Sequence, residues 1–284
     1  MLQSTFQLTR GIGPRRERQL WKGGVTCWND LAAREADATE LLSAQTGPPL
    51  RAAVEQAVLA LQRNDVDSLG RLLPASEHWR LFGTFGADAV YLDIETGDDV
   101  WGFEGISAIG FLDESGPRLL LAGRDLHLFP EIARSWRLLV TFNGLSFDVP
   151  VLRRAFPDWT PPLCHIDLRH LLARLGHHGG LKNIEADIVD LNLRRPSHLS
   201  GIDGWDACHL FRRGRDGDLS ALRLFAEYNL YDVINLRTLM AYAYNSHAAV
   251  ETARVPGLCA HAPVLPVPGR GDVLYDVSKL LLAL

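Results

Sequence analysis

Four carboxylates and one phenol stand in this chain at spacings that could do chemistry. Asp93 and Glu95 lie in Val90-Tyr-Leu-Asp-Ile-Glu-Thr96, at the end of an apolar run. Side chains of a strand alternate faces, so the two carboxylates share one side while Ile94 enters the opposite layer. Such a pair repels itself, and burying it is costly unless something compensates the charge. A divalent cation is the usual compensation. Asp148 follows Phe142-Asn-Gly, where a strand runs through a tight turn into a helix. Tyr228 and Asp232 lie four residues apart in a helical stretch and therefore share a face. Each piece alone has an ordinary reading: a solvated strand edge, a first-turn aspartate favoured by the helix dipole, a polar helix surface.

The elements that must position these groups are visible as changes of periodicity. Residues 41–73 carry apolar side chains at three- and four-residue steps, with a break at Gly47-Pro-Pro. From residue 82 the texture changes. Strands are expected at 87–94, 105–112, 118–122, 138–142 and 164–166, with Gly116-Pro117 as the turn between the second and third. Helices are expected at 147–156, 167–175, 203–213 and 218–245. Strands first as a meander, then alternating with helices, predict an α/β domain with a mixed sheet flanked by helices.

Composition bounds the rest. The 284 residues are 47% apolar and 22% charged, which excludes wholesale disorder and fibrous architectures. Lys+Arg of 29 against Asp+Glu of 34 gives −5, so any nucleic-acid contact must come from local basic patches. Residues 1–28 form such a patch, with Arg10, Arg15, Arg16, Arg18 and Lys22 against Glu17 alone. Cys27, Cys164, Cys208 and Cys259 are too far apart for a CxxC zinc site and are expected to be idle thiols. Apolar runs such as 280–284 are too short to span a membrane, and Met1-Leu-Gln-Ser-Thr-Phe lacks a signal peptide's pattern. A cytoplasmic protein without membrane contact is expected.

Taken together, Asp93, Glu95, Asp148 and Asp232 with Tyr228 resemble the DEDD exonucleases of the RNase H-like (DnaQ-like) superfamily. The tyrosine four residues before Asp232 resembles the DEDDy branch; the histidine branch would place His at position 227, where Glu227 stands. With Phe142-Asn143-Gly144, Leu181-Lys-Asn-Ile-Glu185 and Tyr228-Asn229, the pattern is most similar to the YprB-like group, over about residues 85–245. The resemblance implies 3′-5′ exonucleolysis of single-stranded DNA or RNA to nucleoside monophosphates, using two ions of Mg2+ or Mn2+. It implies that Asp93 bridges both ions, Glu95 and Asp232 help hold the ion that activates water, and Asp148 supports the other. Tyr228 would orient that water, since a phenol with a pKa near 10 is a poor base at neutral pH. The implied all-oxygen ligand set suits Mg2+ or Mn2+ better than zinc.

The N-terminal stretch Leu8-Thr-Arg-Gly11-Ile-Gly13-Pro14 onwards resembles a helix-hairpin-helix element. Gly11 and Gly13 would expose backbone N–H groups to a phosphate at the next helix start, Pro14 suits the first turn, and Arg15, Arg16, Arg18 and Lys22 add counter-charge. Asn143 is a further candidate for substrate contact. The expected organisation is a helical region over 1–80, an RNase H-like domain over 81–248 and a Pro/Gly-rich tail over 249–284. Arg194-Arg195 and Arg212-Arg213-x-Arg215 are candidate phosphate contacts, Trp101 and Phe103 candidate stacking residues. His177-His178 reads as a surface loop and Asp167 as a helix cap. Two alternatives stand beside the exonuclease: a structure-specific endonuclease of the same fold, and a non-catalytic nucleic-acid-binding module with a vestigial site.

Overall fold

The computed structural model describes residues 1–33, 41–97, 105–193, 195–255, 257–258 and 264–267. Trp101, Phe103, Arg194, Cys259 and most of the expected tail lie outside the described residues. The chain divides into two compact units. One comprises the described parts of 1–87, 163–166 and 242–266; the other comprises those of 88–162, 167–241 and 267–284.

The first unit is helical: α1 (Pro14–Lys22), α2 (Trp28–Ala33), α3 (Gly47–Gln62) and α4 (Val66–Leu72). Gly13 caps α1, with Pro14 in its first turn, where a missing N–H costs nothing. What precedes the glycines is a short 3-10 turn, Leu2–Ser4, and irregular chain. Gly23-Gly24 separates α1 from α2. Glu17, the one acidic residue of the basic stretch, is turned inward. It accepts hydrogen bonds from Thr5 Oγ1 (2.7 Å), Phe6 N (2.8 Å) and Gln7 Nε2 (2.8 Å), and pairs with Arg80 (2.9 Å). Arg80 also meets Glu77 at 2.7 Å. Because that carboxylate is buried and matched, the exposed surface of α1 carries Arg15, Arg16 and Lys22.

A five-stranded sheet has the order β3-β2-β1-β4-β5. Its strands are β1 (Ala89–Thr96), β2 (Ile106–Asp113), β3 (Gly116–Leu121), β4 (Leu138–Thr141) and β5 (Cys164–Asp167). β1 runs antiparallel to β2 and parallel to β4, so the sheet is mixed as expected. The turn joining β2 to β3 is Glu114-Ser115, because Gly116 already pairs with Asp113 and Pro117 with Leu112. Gly116-Pro117 therefore opens a strand instead of forming the turn. Proline is tolerated there because β3 is an edge strand, where a missing donor costs least.

Alternation along β1 sorts the layers. Val90, Leu92 and Ile94 join a core with Phe111, Leu120, Phe129, Trp136, Val151, Leu152 and Trp159. Each large side chain buried there contributes roughly 1.5–3 kcal/mol. The helix α5 (Asp148–Ala155) closes this face. The opposite core holds Ala108, Leu119 and Leu121 with Ala207 and Phe211 of α8 (Gly204–Arg215) and Phe225, Tyr228 and Leu230 of α9 (Leu219–Arg254). Two shorter helices, α6 (Leu168–Ala173) and α7 (Leu181–Asp187), also belong to the second unit. α9 begins where Asp218 accepts the Ala221 N–H (3.0 Å) and continues nine residues past the expected end at 245. No described helix is long and apolar enough to cross a membrane.

Candidate active site

β1, α5 and α9 bring the expected groups to one open cleft of about 320 Å³. Its lining includes Asp93, Glu95, Asn143, Asp148, Lys182, Tyr228 and Asp232. Carboxylate oxygens of Asp93, Glu95 and Asp232 all lie within 4.8 Å of one another. Asp148 stands beside this triad, not within it: its Oδ1 accepts the Ile94 backbone N–H at 3.1 Å. That bond fixes α5 against the C-terminal part of β1. Among the described residues no other group of three His, Cys, Asp or Glu side chains is placed to share an ion.

Asp93 is oriented from α9. Asn229 donates to its Oδ2 at 2.9 Å, and Asn229 sits against Gly110, the residue paired with Asp93 across the β1–β2 ladder. A Cβ at position 110 would come within 1.9 Å of the Asn229 oxygen, so glycine is required there by close approach. Asp232 is oriented by Arg195, which bonds its Oδ1 and reaches Glu185 through two hydrogen bonds of 3.2 Å. Glu185 in turn accepts from Asn235 at 2.8 Å. Arg195 is 7% exposed, which corrects its reading as a surface phosphate contact. A buried guanidinium with two carboxylate partners is committed to them, since either would otherwise be an uncompensated buried charge.

Tyr228 is buried against the second core and keeps its hydroxyl at the cleft, where Lys182 donates to it at 2.8 Å. The Lys182 ammonium also reaches the Ile202 carbonyl and lies 4.4 Å from the Tyr228 ring centre. Tyr231 turns elsewhere and packs beside the α8–α9 core. Glu227 faces His198 at 2.9 Å.

The electrostatics follow from burial. Removal from water pushes Glu95 up to about 8, with the Asp232 charge adding to the effect. Burial also pushes Asp148 up to about 7, against the stabilising backbone N–H bonds it accepts. Asp93 is raised well above the usual carboxylate range by burial and then by Asp232, Asp148 and Glu95. Burial raises the Tyr228 phenol as well, which removes it as a base at neutral pH. Burial lowers the Lys182 ammonium, partly offset by Asp232. Crowded, buried carboxylates with oxygen donors only are the arrangement that a hard divalent cation relieves. The residues present therefore fit Mg2+ or Mn2+.

Asn143 occupies the left-handed region, φ +66°, at the turn expected there. Asp167 holds this turn, accepting the backbone N–H groups of Asn143 (2.8 Å) and Leu145 (3.1 Å) while capping α6 through Arg169 N (3.0 Å). Asn143 lines the cleft, and its side-chain oxygen accepts from Arg169 at 2.7 Å. Gly11 has φ +93° and its carbonyl accepts from Arg16 at 2.7 Å; Arg18 pairs with Glu251 at 3.4 Å. These N-terminal candidates belong to the first unit, the carboxylates to the second. Lys182, Glu185, Asn229 and Asn235 had no role assigned from sequence. One signal was there: Tyr228, Asp232 and Asn235 form a polar i, i+4, i+7 stripe in a strongly apolar helix.

The family model RNase_H_2, of the RNase H superfamily, matches residues 90–244. The chain belongs to this family, and its mixed sheet with flanking helices is the RNase H-like fold. Neither the curated proteins nor the solved structures yield a match.

Proposed function

We propose that the chain is a metal-dependent 3′-5′ exonuclease of the DEDDy type, akin to the YprB-like group, that hydrolyses single-stranded DNA or RNA to nucleoside monophosphates. The observation that carries this reading is the convergence of Asp93, Glu95 and Asp232 within 4.8 Å, beside Asp148 and the Tyr228 hydroxyl, in an RNase H superfamily chain. Two ions of Mg2+ or Mn2+, held by Asp93, Glu95, Asp148 and Asp232, would neutralise charge developing on the phosphate and make hydroxide available at neutral pH.

The chain's own residues do the positioning. Asn229 and Arg195 hold Asp93 and Asp232 in fixed rotamers, and the Ile94 N–H holds Asp148. Lys182 can only donate, so the Tyr228 oxygen accepts and its O–H proton is left to point into the cleft. Tyr228 thus acts as a hydrogen-bond donor that orients the attacking water or a phosphate oxygen. Asn143, on the rigid turn held by Asp167, stands at the same cleft to contact the strand end. In the first unit, Gly11, Gly13, Arg15, Arg16, Arg18 and Lys22 act as a backbone-binding element at the start of α1, although no α-helix precedes the glycines as a helix-hairpin-helix would require. The inward turn of Glu17 supports this, because it leaves the exposed side of α1 basic.

The test is product analysis on 5′-labelled single-stranded oligomers of DNA and RNA with Mg2+ or Mn2+. Labelled products shortened one nucleotide at a time from the 3′ end support the reading. Internal cuts without 3′ trimming would assign endonuclease activity instead, and no cleavage in either metal would assign a binding module.

A further inference from the structure

We propose that the outward face of α8 is a base-stacking track for single-stranded nucleic acid leading into the cleft, with Trp205 as its stacking residue. The proposal rests on the nuclease reading and adds a substrate-binding subsite to it.

Trp205 is the exception among the described tryptophans. Trp21, Trp28, Trp79, Trp136 and Trp159 are each at most 6% exposed, whereas Trp205 is 65% exposed. It belongs to neither core: Ala207, Phe211 and Gly214 face inward from α8, and Trp205 stands on the opposite side. The ring is also supported. His209, one turn on, meets it edge-on with centres 5.2 Å apart. Arg212 continues the same stripe at i+7, so the face presents an indole, an imidazole and a guanidinium in line. An exposed aromatic face on which a base can stack is the feature that single strands select.

The helix is tied to the cleft at two points. Cys208 donates to the Thr96 carbonyl at 2.9 Å, one residue beyond Glu95 on β1. The Ile202 carbonyl accepts from Lys182, which bonds Tyr228. Ile202 and Trp205 are three residues apart, a span of at most about 11 Å. Trp205 is therefore within reach of the next few nucleotides of a strand whose end lies at Tyr228. The acidic residues at this helix start are held by backbone N–H groups, which fix their positions without cancelling their charge, so the track binds through stacking and not through charge. Asp203 accepts the N–H groups of Trp205 (2.8 Å) and Asp206 (3.0 Å), and Asp206 accepts that of Asp203 (3.1 Å), so both carboxylates are engaged by backbone.

The test is binding of a 5′-fluorescein single-stranded oligomer, deoxy and ribo, by anisotropy. It uses wild type in EDTA and an Asp93→Asn background in magnesium, so that no strand is cut. Trp205→Ala should weaken binding about 5- to 150-fold, the loss of one stacked base, at unchanged melting temperature. Trp205→Phe should keep most of the affinity, Trp205→Leu should not, and blunt duplex of the same sequence should be insensitive. Wild-type affinity in Trp205→Ala would overturn the track while leaving the nuclease reading intact. Absence of binding by wild type and the Asp93→Asn background to either oligomer would overturn both.

Discussion

Lys182 donates a hydrogen bond to the Tyr228 hydroxyl over 2.8 Å, which leaves the phenol's own proton to be donated elsewhere. An ammonium has no acceptor, so the tyrosine oxygen is the acceptor in this pair. The two residues thus act as one device. Tyr228→Phe is expected to lower turnover by about 10²–10⁴-fold with folding intact, the usual worth of such an interaction. Lys182→Met should lower it too, and the double variant should be no worse than Tyr228→Phe alone. Tyr231→Phe is the control. Steady-state turnover of the four variants checks this; additive losses, or equal effects at Tyr228 and Tyr231, contradict it.

Arg195 is expected to hold stability and not substrate. It is the buried counter-charge to both Asp232 and Glu185. Arg195→Met should destabilise by about 3–5 kcal/mol, because it leaves carboxylates unpaired in the interior. Urea unfolding measures the difference. A variant as stable as wild type but weaker in binding nucleic acid would return Arg195 to the role of a phosphate contact.

The raised carboxylates make stability depend on pH in a known direction. Glu95 and Asp148 stand at about 8 and about 7 in the folded chain, above their unfolded values near 4. Folding therefore favours their protonated forms. That contribution is complete below about pH 4 and is lost as pH rises through about 7 and then about 8. In EDTA the protein should be less stable at about pH 8 than at about pH 5, and Glu95→Gln should flatten the slope. Added Mg2+ or Mn2+ should raise the melting temperature most at the alkaline end, where the carboxylates are charged. Thermal melts with and without EDTA decide; a metal effect independent of pH contradicts the prediction.

Much of this arrangement was legible because strand alternation and helix periodicity act locally. The faces of Asp93 and Glu95 against Ile94, and the shared face of Tyr228 and Asp232, follow from spacing alone. The partners that hold them do not. Arg195 reaches Asp232 across 37 residues and Asn229 reaches Asp93 across 136, and no local rule encodes such pairings. Arg195 reads as surface because arginine usually is exposed. The expected Gly116-Pro117 turn is displaced because proline, a breaker elsewhere, is admitted by an edge strand.

Neutralising Arg15, Arg16, Arg18 and Lys22 should raise KM and leave turnover at saturation nearly unchanged. The slope of binding against salt should fall by roughly one unit for each phosphate the variant no longer neutralises. Arg18, paired with Glu251, should contribute least. Salt titrations of oligomer binding by wild type and the four-fold variant measure this. Identical affinities and slopes would remove nucleic acid as the partner of the N-terminal element.

Whether the carboxylate cluster is the centre of metal-dependent 3′ cleavage is decided by comparing wild type with Asp93→Asn on 5′-labelled single-stranded DNA and RNA. Wild type should shorten the strands stepwise in Mg2+ or Mn2+ and not in EDTA, and Asp93→Asn should lose nearly all turnover at unchanged fold. Cleavage by Asp93→Asn at the wild-type rate, or wild-type cleavage that persists in EDTA, would contradict that assignment.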